Sequence, residues 1–371
     1  MKKQILLAIY LCAPLLSAAS DATLTAMIQE KQHEQAALNP KNRYIIGCDA
    51  NVFDVTTGLF QVVGKQLKLV LEISSKTKDI TDFTDYFVRV LNLIEKKHSI
   101  CVKLACIATP GNTSANKDYI KFSHLSFAID GRAIKAQAKL DRVFVINDFE
   151  VVGFGIQALD QKHIITLKGG KPREHGTKLI IGAGNGLGSG LMLWDENLKY
   201  YVPTPISYSF VDFCARTDQE LEFGEYLQKE TGSRSWGKVL GAGGGIKRVY
   251  AFLSKMKIEE VPYEHYQELF AHRGDDACCQ MAVDFYMKLY ARLVRNAAYA
   301  QLPYNGVYIM NGVAEKNPEL FKDPAFMREI FQTDNEYLTN YLLEVPFYLV
   351  DHSNLYMHGA ALYALVYEPI K

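Results

Sequence analysis

The stretch Gly182-Ala183-Gly184-Asn185-Gly186-Leu187-Gly188 constrains this fold more than any other, because of what flanks it. The apolar run Leu179-Ile180-Ile181 precedes it and Leu191-Met192-Leu193-Trp194 follows it. Two strands joined through glycines make a tight turn whose backbone N–H groups are free to face a ligand. Such a nest suits an anionic oxygen, most often a phosphate. Upstream, the all-apolar run Val143-Phe144-Val145-Ile146 stops abruptly at Asn147-Asp148-Phe149. A carboxylate at a strand end together with a phosphate cradle is the minimal layout for phosphoryl transfer. Taken singly, each feature has a plainer account: a hairpin, and an Asp that caps a helix from Glu150 to Leu159.

With 371 residues, 49% hydrophobic and 22% charged, the chain suits two modest α/β domains with substantial cores. Lys plus Arg equals Asp plus Glu at 41 each, so no global field favours nucleic acid or an anionic membrane. At the N-terminus, Lys2 and Lys3 precede the apolar run Ile5 to Leu16 and the small residues Ser17-Ala18-Ala19-Ser20. That pattern predicts a signal peptide over 1–20, cut near Ala19 or Ser20, and hence export; the chain is cytoplasmic if the signal is not used. The run is short for a bilayer span and contains Pro14, so no stable membrane anchor is expected. Beyond Cys12, the cysteines are Cys48, Cys101, Cys106, Cys214, Cys278 and Cys279. An even count permits disulfides. Cys48, Cys101 and Cys106 lie on or beside apolar strands and read as buried core. No C-x-x-C pair appears, which argues against a structural zinc.

Along the chain, Asp21 to Asn42 reads as a linker over 21–42. Tyr44–Cys48, Gly58–Val63 and Gln66–Ile73 read as successive strands. Phe83, Tyr86, Phe87, Val90, Leu91 and Ile94 share one helical face, and Ile100–Ile107 reads as a buried strand. A small α/β domain over 43–148 is expected, rejoined by a C-terminal helix over 357–371, with a large α/β domain over 149–356. The second contains a helix from Thr217, as N-cap, to Thr231, stopped by Gly232. It also contains a long helix from Met281 to Leu302, stopped by Pro303. No internal repeat stands out. A cleft between the two domains is the expected location of a ligand.

Several of these motifs stand in an order that resembles the bacterial-type glucokinases of the sugar kinase, actin and heat-shock chaperone ATPase superfamily. The resemblance runs from about Tyr44 to Tyr363. It takes in the first strand ending at Asp49, Ile146-Asn147-Asp148-Phe149, the glycine turn, and Val211-Asp212-Phe213. It continues through Gly241 to Gly245, Gly306 to Met310 with Asn311-Gly312, and the closing Val345-Pro346. It implies an α/β, two-domain actin-like (ribonuclease H-like) ATPase fold and ATP-dependent phosphorylation of glucose or a related hexose at its 6-hydroxyl. By the same resemblance Asp148 is the catalytic base and Asn147 holds sugar hydroxyls. Asp49 lies close to phosphates and binds magnesium through water. Gly182, Gly184, Asn185, Gly186 and Gly188 form the second phosphate loop. Asn311 and Gly312 face adenosine, and Gly243 to Gly245 fall near the adenine cleft. Mg-ATP is the implied cosubstrate; a sugar and a nucleotide are the expected partners, and a homodimer is left open.

The same residues mark departures. The family's Gly-Gly-Thr-Asn phosphate loop is replaced by Asn51-Val52-Phe53-Asp54. Val and Phe disfavour the positive-φ turns that Gly allows, and their side chains claim the phosphate's space. Asp54 adds a charge whose repulsion at ~4 Å is of order 4 kcal/mol at an effective dielectric of about 20. On the sugar side the family's Gly-Glu-Gly-Gly-His becomes Ile206-Ser207-Tyr208-Ser209-Phe210, and its second sugar-binding Glu aligns with Gly237. Ser207 and Phe210 are thus the candidate sugar-facing residues, with Tyr208 and Phe210 able either to stack on a sugar or to fill the pocket. Two lost charged hydrogen bonds weaken a sugar by roughly 3–6 kcal/mol. Phosphotransfer that is weak, redirected or lost is therefore expected. The alternative is a non-catalytic secreted sugar- or nucleotide-binding pseudokinase or effector. Lys247 and Arg248 read as solvated charges, Asp212 as a turn residue, and His352 and His358 as structural.

Overall fold

Two sheets with the same internal strand order organise the chain. The computed structural model describes residues 24–33, 38–121, 125, 127–241, 243–333, 335–351 and 354–368. The expected signal peptide over 1–20 lies outside these residues, as does His352. No described helix is long and apolar enough to cross a membrane. Contacts divide the chain into a first unit, Met1–Ala158 with Asn354–Lys371, and a second, Leu159–Ser353.

In the first unit the strands are β1 (Ile28–Gln32), β2 (Tyr44–Ala50), β3 (Asp54–Val63), β4 (Gln66–Lys76) and β5 (Leu104–Thr109). They are followed by β6 (Tyr119–Lys121), β7 (Ala128–Asp130) and β8 (Arg142–Asn147). β6 and β7 form a separate ribbon; the main sheet runs β1-β4-β3-β2-β5-β8. β2, β3 and β4 form an antiparallel meander, while β2, β5 and β8 are parallel. All six residues of β5 are buried, as a central parallel strand covered on both faces requires. One face packs under the helix Phe83–His98 through the six apolar residues read from the sequence. Asp82 caps that helix by accepting the Asp85 N–H, and Ser99 ends it at φ 53. The other face packs against the closing helix Leu355–Val366.

Three expectations are corrected here. The segment read as a linker carries β1, paired antiparallel with β4, while Leu24 and Leu38 enter the core. The first unit extends past residue 148 to Ala158, because the helix Asp148–Ala158 crosses the closing helix at two glycines. A Cβ on Gly155 would lie 2.4 Å from the Leu355 carbonyl oxygen, and one on Gly359 would lie 2.1 Å from that of Val151. Finally, the strand expected from Ile100 begins at Leu104, which leaves Cys101 exposed while Cys48 and Cys106 are buried. The six described cysteines are all free.

The second unit contains β9 (Ile164–Lys168), β10 (Lys178–Ala183), β11 (Leu187–Asp195), β12 (Tyr200–Pro205), β13 (Gly306–Met310) and β14 (Phe347–Val350). They are ordered β12-β11-β10-β13-β14-β9. Again a meander, β10 to β12, is followed by two parallel additions, β13 and β14. The five-strand pattern of the first sheet is thus repeated in topology, although no repeat is visible in sequence. One face is covered by helices that include Asp218–Thr231, Gly245–Ser254 and Ala277–Gln301. Thr217 caps the first of these and Gly232 ends it at φ 70, as the sequence predicts. The long helix begins four residues ahead of its expected start, because Asp276 accepts the Cys278 and Cys279 N–H groups.

Candidate functional site

The three parallel strands of the first sheet place chemistry at their C-terminal ends. β2 delivers Asp49 and β8 delivers Asn147, with Asp148 opening the next helix. Burial, together with the charges of Asp148 and Asp54, pushes the Asp49 carboxyl up to about 7, against the hydrogen bond from Asn51. Burial also raises Asp148, opposed by the Phe149 N–H. A desolvated carboxylate whose charge a neighbouring carboxylate further disfavours is a setting in which a cation is welcome, and a carboxyl raised by burial beside it can serve as a base. The Asn147 Oδ1 accepts the Phe149 N–H at 2.9 Å and its Nδ2 donates to the Gly111 carbonyl at 2.9 Å. Asn147 therefore takes the position in front of the helix, and Asp148 lies within its first turn instead of capping it.

The β2–β3 turn carries Asn51 to Asp54. Val52 and Phe53 are exposed, at 41% and 67%, and neither has a positive φ. Asn51 organises the turn: its Oδ1 accepts the N–H groups of Phe53 and Asp54 at 2.9 and 3.0 Å. Its Nδ2 donates to Asp49 Oδ2 at 3.2 Å. Thr77 fastens the turn from below, donating its hydroxyl to the Asn51 carbonyl at 2.7 Å and its N–H to the Phe53 carbonyl at 3.0 Å.

The second unit holds the glycine turn. β10 and β11 pair through Ala183 and Leu187, which leaves Gly184 to Gly186 as the tip. Gly182 and Gly184 are needed for close approach, not for left-handed backbone, since none of the turn's glycines has φ in that region. A Cβ on Gly182 would stand 2.7 Å from the Met310 carbonyl oxygen, and one on Gly184 would meet the Asn311 side chain at 3.1 Å. The Asn185 carbonyl accepts the Gly243 N–H at 3.3 Å, so the exposed tip rests on the second glycine run. Asn311 ends β13 at φ 80 and ψ 175, a region otherwise almost confined to glycine. The structure thus brings Gly182 to Gly188, Gly243, Asn311 and Gly312 into one cluster in the second unit, and Asp49, Asn147 and Asp148 into one cluster in the first.

Two residues beside the glycine cluster were invisible in the sequence. A Cβ on Gly312 would stand 3.0 Å from the Tyr266 hydroxyl, and the Lys316 Nζ lies 5.9 Å from the Tyr266 ring centre. Burial and the Asp351 charge push the Glu315 carboxyl up to about 7. No motif surrounds either residue, so only the fold could reveal them.

The sugar-facing candidates stand differently from expectation. Ser207 is exposed and Phe210 is 83% exposed, so Phe210 fills no pocket. Tyr208 instead packs on the core and accepts a hydrogen bond from Gln301 at 3.3 Å. Gly237 permits this turn, since a Cβ there would lie 2.7 Å from the Ser209 carbonyl oxygen. Asp212 is exposed and bridges Ser235. Arg248 is not a solvated charge: it lies against the Gly244 backbone and donates to the Lys238 carbonyl at 3.1 Å. His358 packs edge-on against Phe60 at 4.9 Å.

A family model described as Glucokinase matches residues 55–366. The chain belongs to the glucokinase family. A glucokinase of Nostoc punctiforme is 27% identical over 306 residues, covering 76% of this chain and 88% of that protein. Among solved structures, a glucokinase from an Antarctic psychrotroph superposes with a TM-score of 0.73 at 18% identity, covering 87% of this chain and 98% of that one. A Balamuthia mandrillaris glucokinase in complex with glucose gives 0.69 at 16% identity, covering 93% and 98%. The fold is therefore the two-domain, actin-like α/β fold of this family, as the sequence motifs implied.

Proposed function

We propose that this glucokinase-family chain transfers a phosphoryl group from Mg-ATP to the 6-hydroxyl of glucose or a related hexose, with turnover attenuated relative to an undiverged member. The observation that supports it best is the pairing of Asp49 and Asp148 at the ends of parallel strands, each carboxyl raised by burial. In this reading Asp148 accepts the hydroxyl proton and fixes the direction of attack, and its raised carboxyl moves its affinity for a proton toward neutral pH. Asn147 holds the backbone that carries Asp148 and keeps a lone pair for a sugar hydroxyl.

The residues present fit the absent groups. A buried carboxylate disfavoured by neighbouring charges gains from a divalent cation, so Asp49 would hold magnesium through water. Gly182, Gly184, Asn185, Gly186 and Gly188 would face phosphates, where added Cβ atoms at Gly182 and Gly184 would collide with neighbours. Asn311 and Gly312 would face adenosine, with Tyr266 beside them. Bound magnesium would supply charge neutralisation for the transferring group.

Attenuation is supported by the Asn51 to Asp54 turn and by the sugar side, where Ser207 and Gly237 supply no carboxylate. Phe210, exposed, is free to stack on a sugar face. The second reading, a non-catalytic sugar- or nucleotide-binding pseudokinase, draws on the Ser209–Gly237 contact, which leaves no room for a Glu at 237. Export through residues 1–20 belongs to the same proposal, and mass spectrometry of the mature N-terminus tests it. The deciding experiment is ADP release by the full chain across hexoses and amino-hexoses. Sugar-dependent turnover that Asp148→Ala removes supports the kinase. A ligand-induced thermal shift without turnover above the Asp148→Ala background leaves the binding module.

A further inference from the structure

We propose that the Asn51 side chain is a built-in occupant of the β2–β3 turn, taking the backbone donors a phosphate would need, and that it thereby removes the preference for a nucleoside triphosphate over a diphosphate. The proposal rests on the kinase reading above and adds a residue that sets its specificity.

Three of the turn's four amides are already engaged. Those of Phe53 and Asp54 go to Asn51 Oδ1, and that of Asn51 goes to the Asp54 carbonyl at 3.0 Å. The carboxamide oxygen therefore sits where an anion's oxygen would sit in a nest of successive N–H groups. The same side chain donates to Asp49, so swinging it aside also releases that carboxylate. Thr77 holds two carbonyls of the turn, which opposes opening by backbone movement. Charge acts in the same direction. Asp49, Asp54 and Asp148 repel an arriving anion, and Lys76, at the end of β4, donates to Asp54 at 2.7 Å. A terminal phosphate must break three side-chain hydrogen bonds before it gains any. A diphosphate, which lacks that terminal phosphate, has no such requirement.

Calorimetric titration of the full chain with Mg-ATP and Mg-ADP tests this. Wild-type affinities for the two should agree within about threefold. Asn51→Gly frees both amides and should tighten ATP about tenfold while leaving ADP in place. Asn51→Asp keeps the acceptor and should retain the wild-type lack of preference or reverse it. Amide hydrogen exchange supplies a readout without nucleotide: Phe53 and Asp54 should be protected in the wild type and in Asn51→Asp, and exposed in Asn51→Gly. A tenfold wild-type preference for ATP, or an ATP-to-ADP ratio unchanged by Asn51→Gly, overturns the proposal while leaving the kinase reading intact. Fast exchange at both amides in the wild type overturns it as well. Failure of either nucleotide to bind ends the nucleotide reading and this specificity with it.

Discussion

The β2–β3 and β10–β11 turns occupy the same place in two sheets of matching strand order, and they are built by opposite means. The second is made by removing side chains: Gly182 and Gly184 let its backbone press against Met310 and Asn311, with Asn185 and Gly186 exposed at the tip. The first is made by adding one, since Asn51 satisfies the turn from within. Both solve the problem of unpaired backbone groups at a hairpin tip. At the β10–β11 tip the Gly184 N–H goes to the Gly186 carbonyl at 2.8 Å, whereas at the β2–β3 turn a side chain takes the amides of Phe53 and Asp54. The two turns thus differ in what occupies their backbone donors: a side chain in the first unit, backbone in the second.

Loss of the base is the largest effect expected. Asp148→Ala should lower hexose-dependent ADP release by roughly a hundred- to ten-thousand-fold with an unchanged circular dichroism spectrum. An unaltered rate would detach the first unit from the chemistry. Next comes packing at the two turns. Gly182→Val should cost on the order of 3 kcal/mol or more in urea unfolding, because backbone atoms at 2.7 Å cannot yield. Phe53→Ala and Gly186→Ala, whose surroundings are open, should stay within about 0.5 kcal/mol. Equal costs at all three sites would erase the contrast.

A smaller effect concerns pH. Asp49 is raised in the folded chain, so between about pH 4 and 7 the folded state binds the extra proton, and stability falls as pH climbs through that window. Asp49→Asn should remove this slope, raising Tm by a few degrees at pH 8 and little near pH 4. A melting profile in which the slope survives the substitution would show that Asp49 is not strained. Smallest is Asn311→Gly, which should stabilise the chain by about 1 kcal/mol by relieving a glycine-like backbone conformation. Destabilisation there would mean that the Asn311 hydrogen bond to the Gly312 N–H outweighs the strain.

Much of the fold was legible because its central strands are apolar runs bounded by glycines or polar stops, and helices such as Phe83–His98 and Asp218–Thr231 carry a side-chain N-cap and a left-handed C-cap. β1 was not, because Ile28-Gln29-Glu30-Lys31-Gln32 has almost no apolar face and is held by pairing along the edge of β4. The boundary near Ala158 was hidden for a related reason: it depends on glycines of two distant helices meeting, and Gly155 alone says nothing of Gly359. Among the candidate residues, Asp49, Asp148 and the glycine turn were read from motif order. Tyr266, Glu315 and the grip of Asn51 on Asp49 could not, since each depends on where an unrelated segment passes.

The amino-acid order by itself determined which residues can carry charge, which segments must be buried and where the backbone can turn tightly, because periodicity and residue chemistry act locally. Tertiary structure alone decided that two sheets share one topology, that burial and the Asp148 charge raise the Asp49 carboxyl, and that Asn51 closes its own turn. Those outcomes depend on distances between segments remote in the chain, and burial converts such distances into shifted protonation and satisfied or frustrated hydrogen bonds.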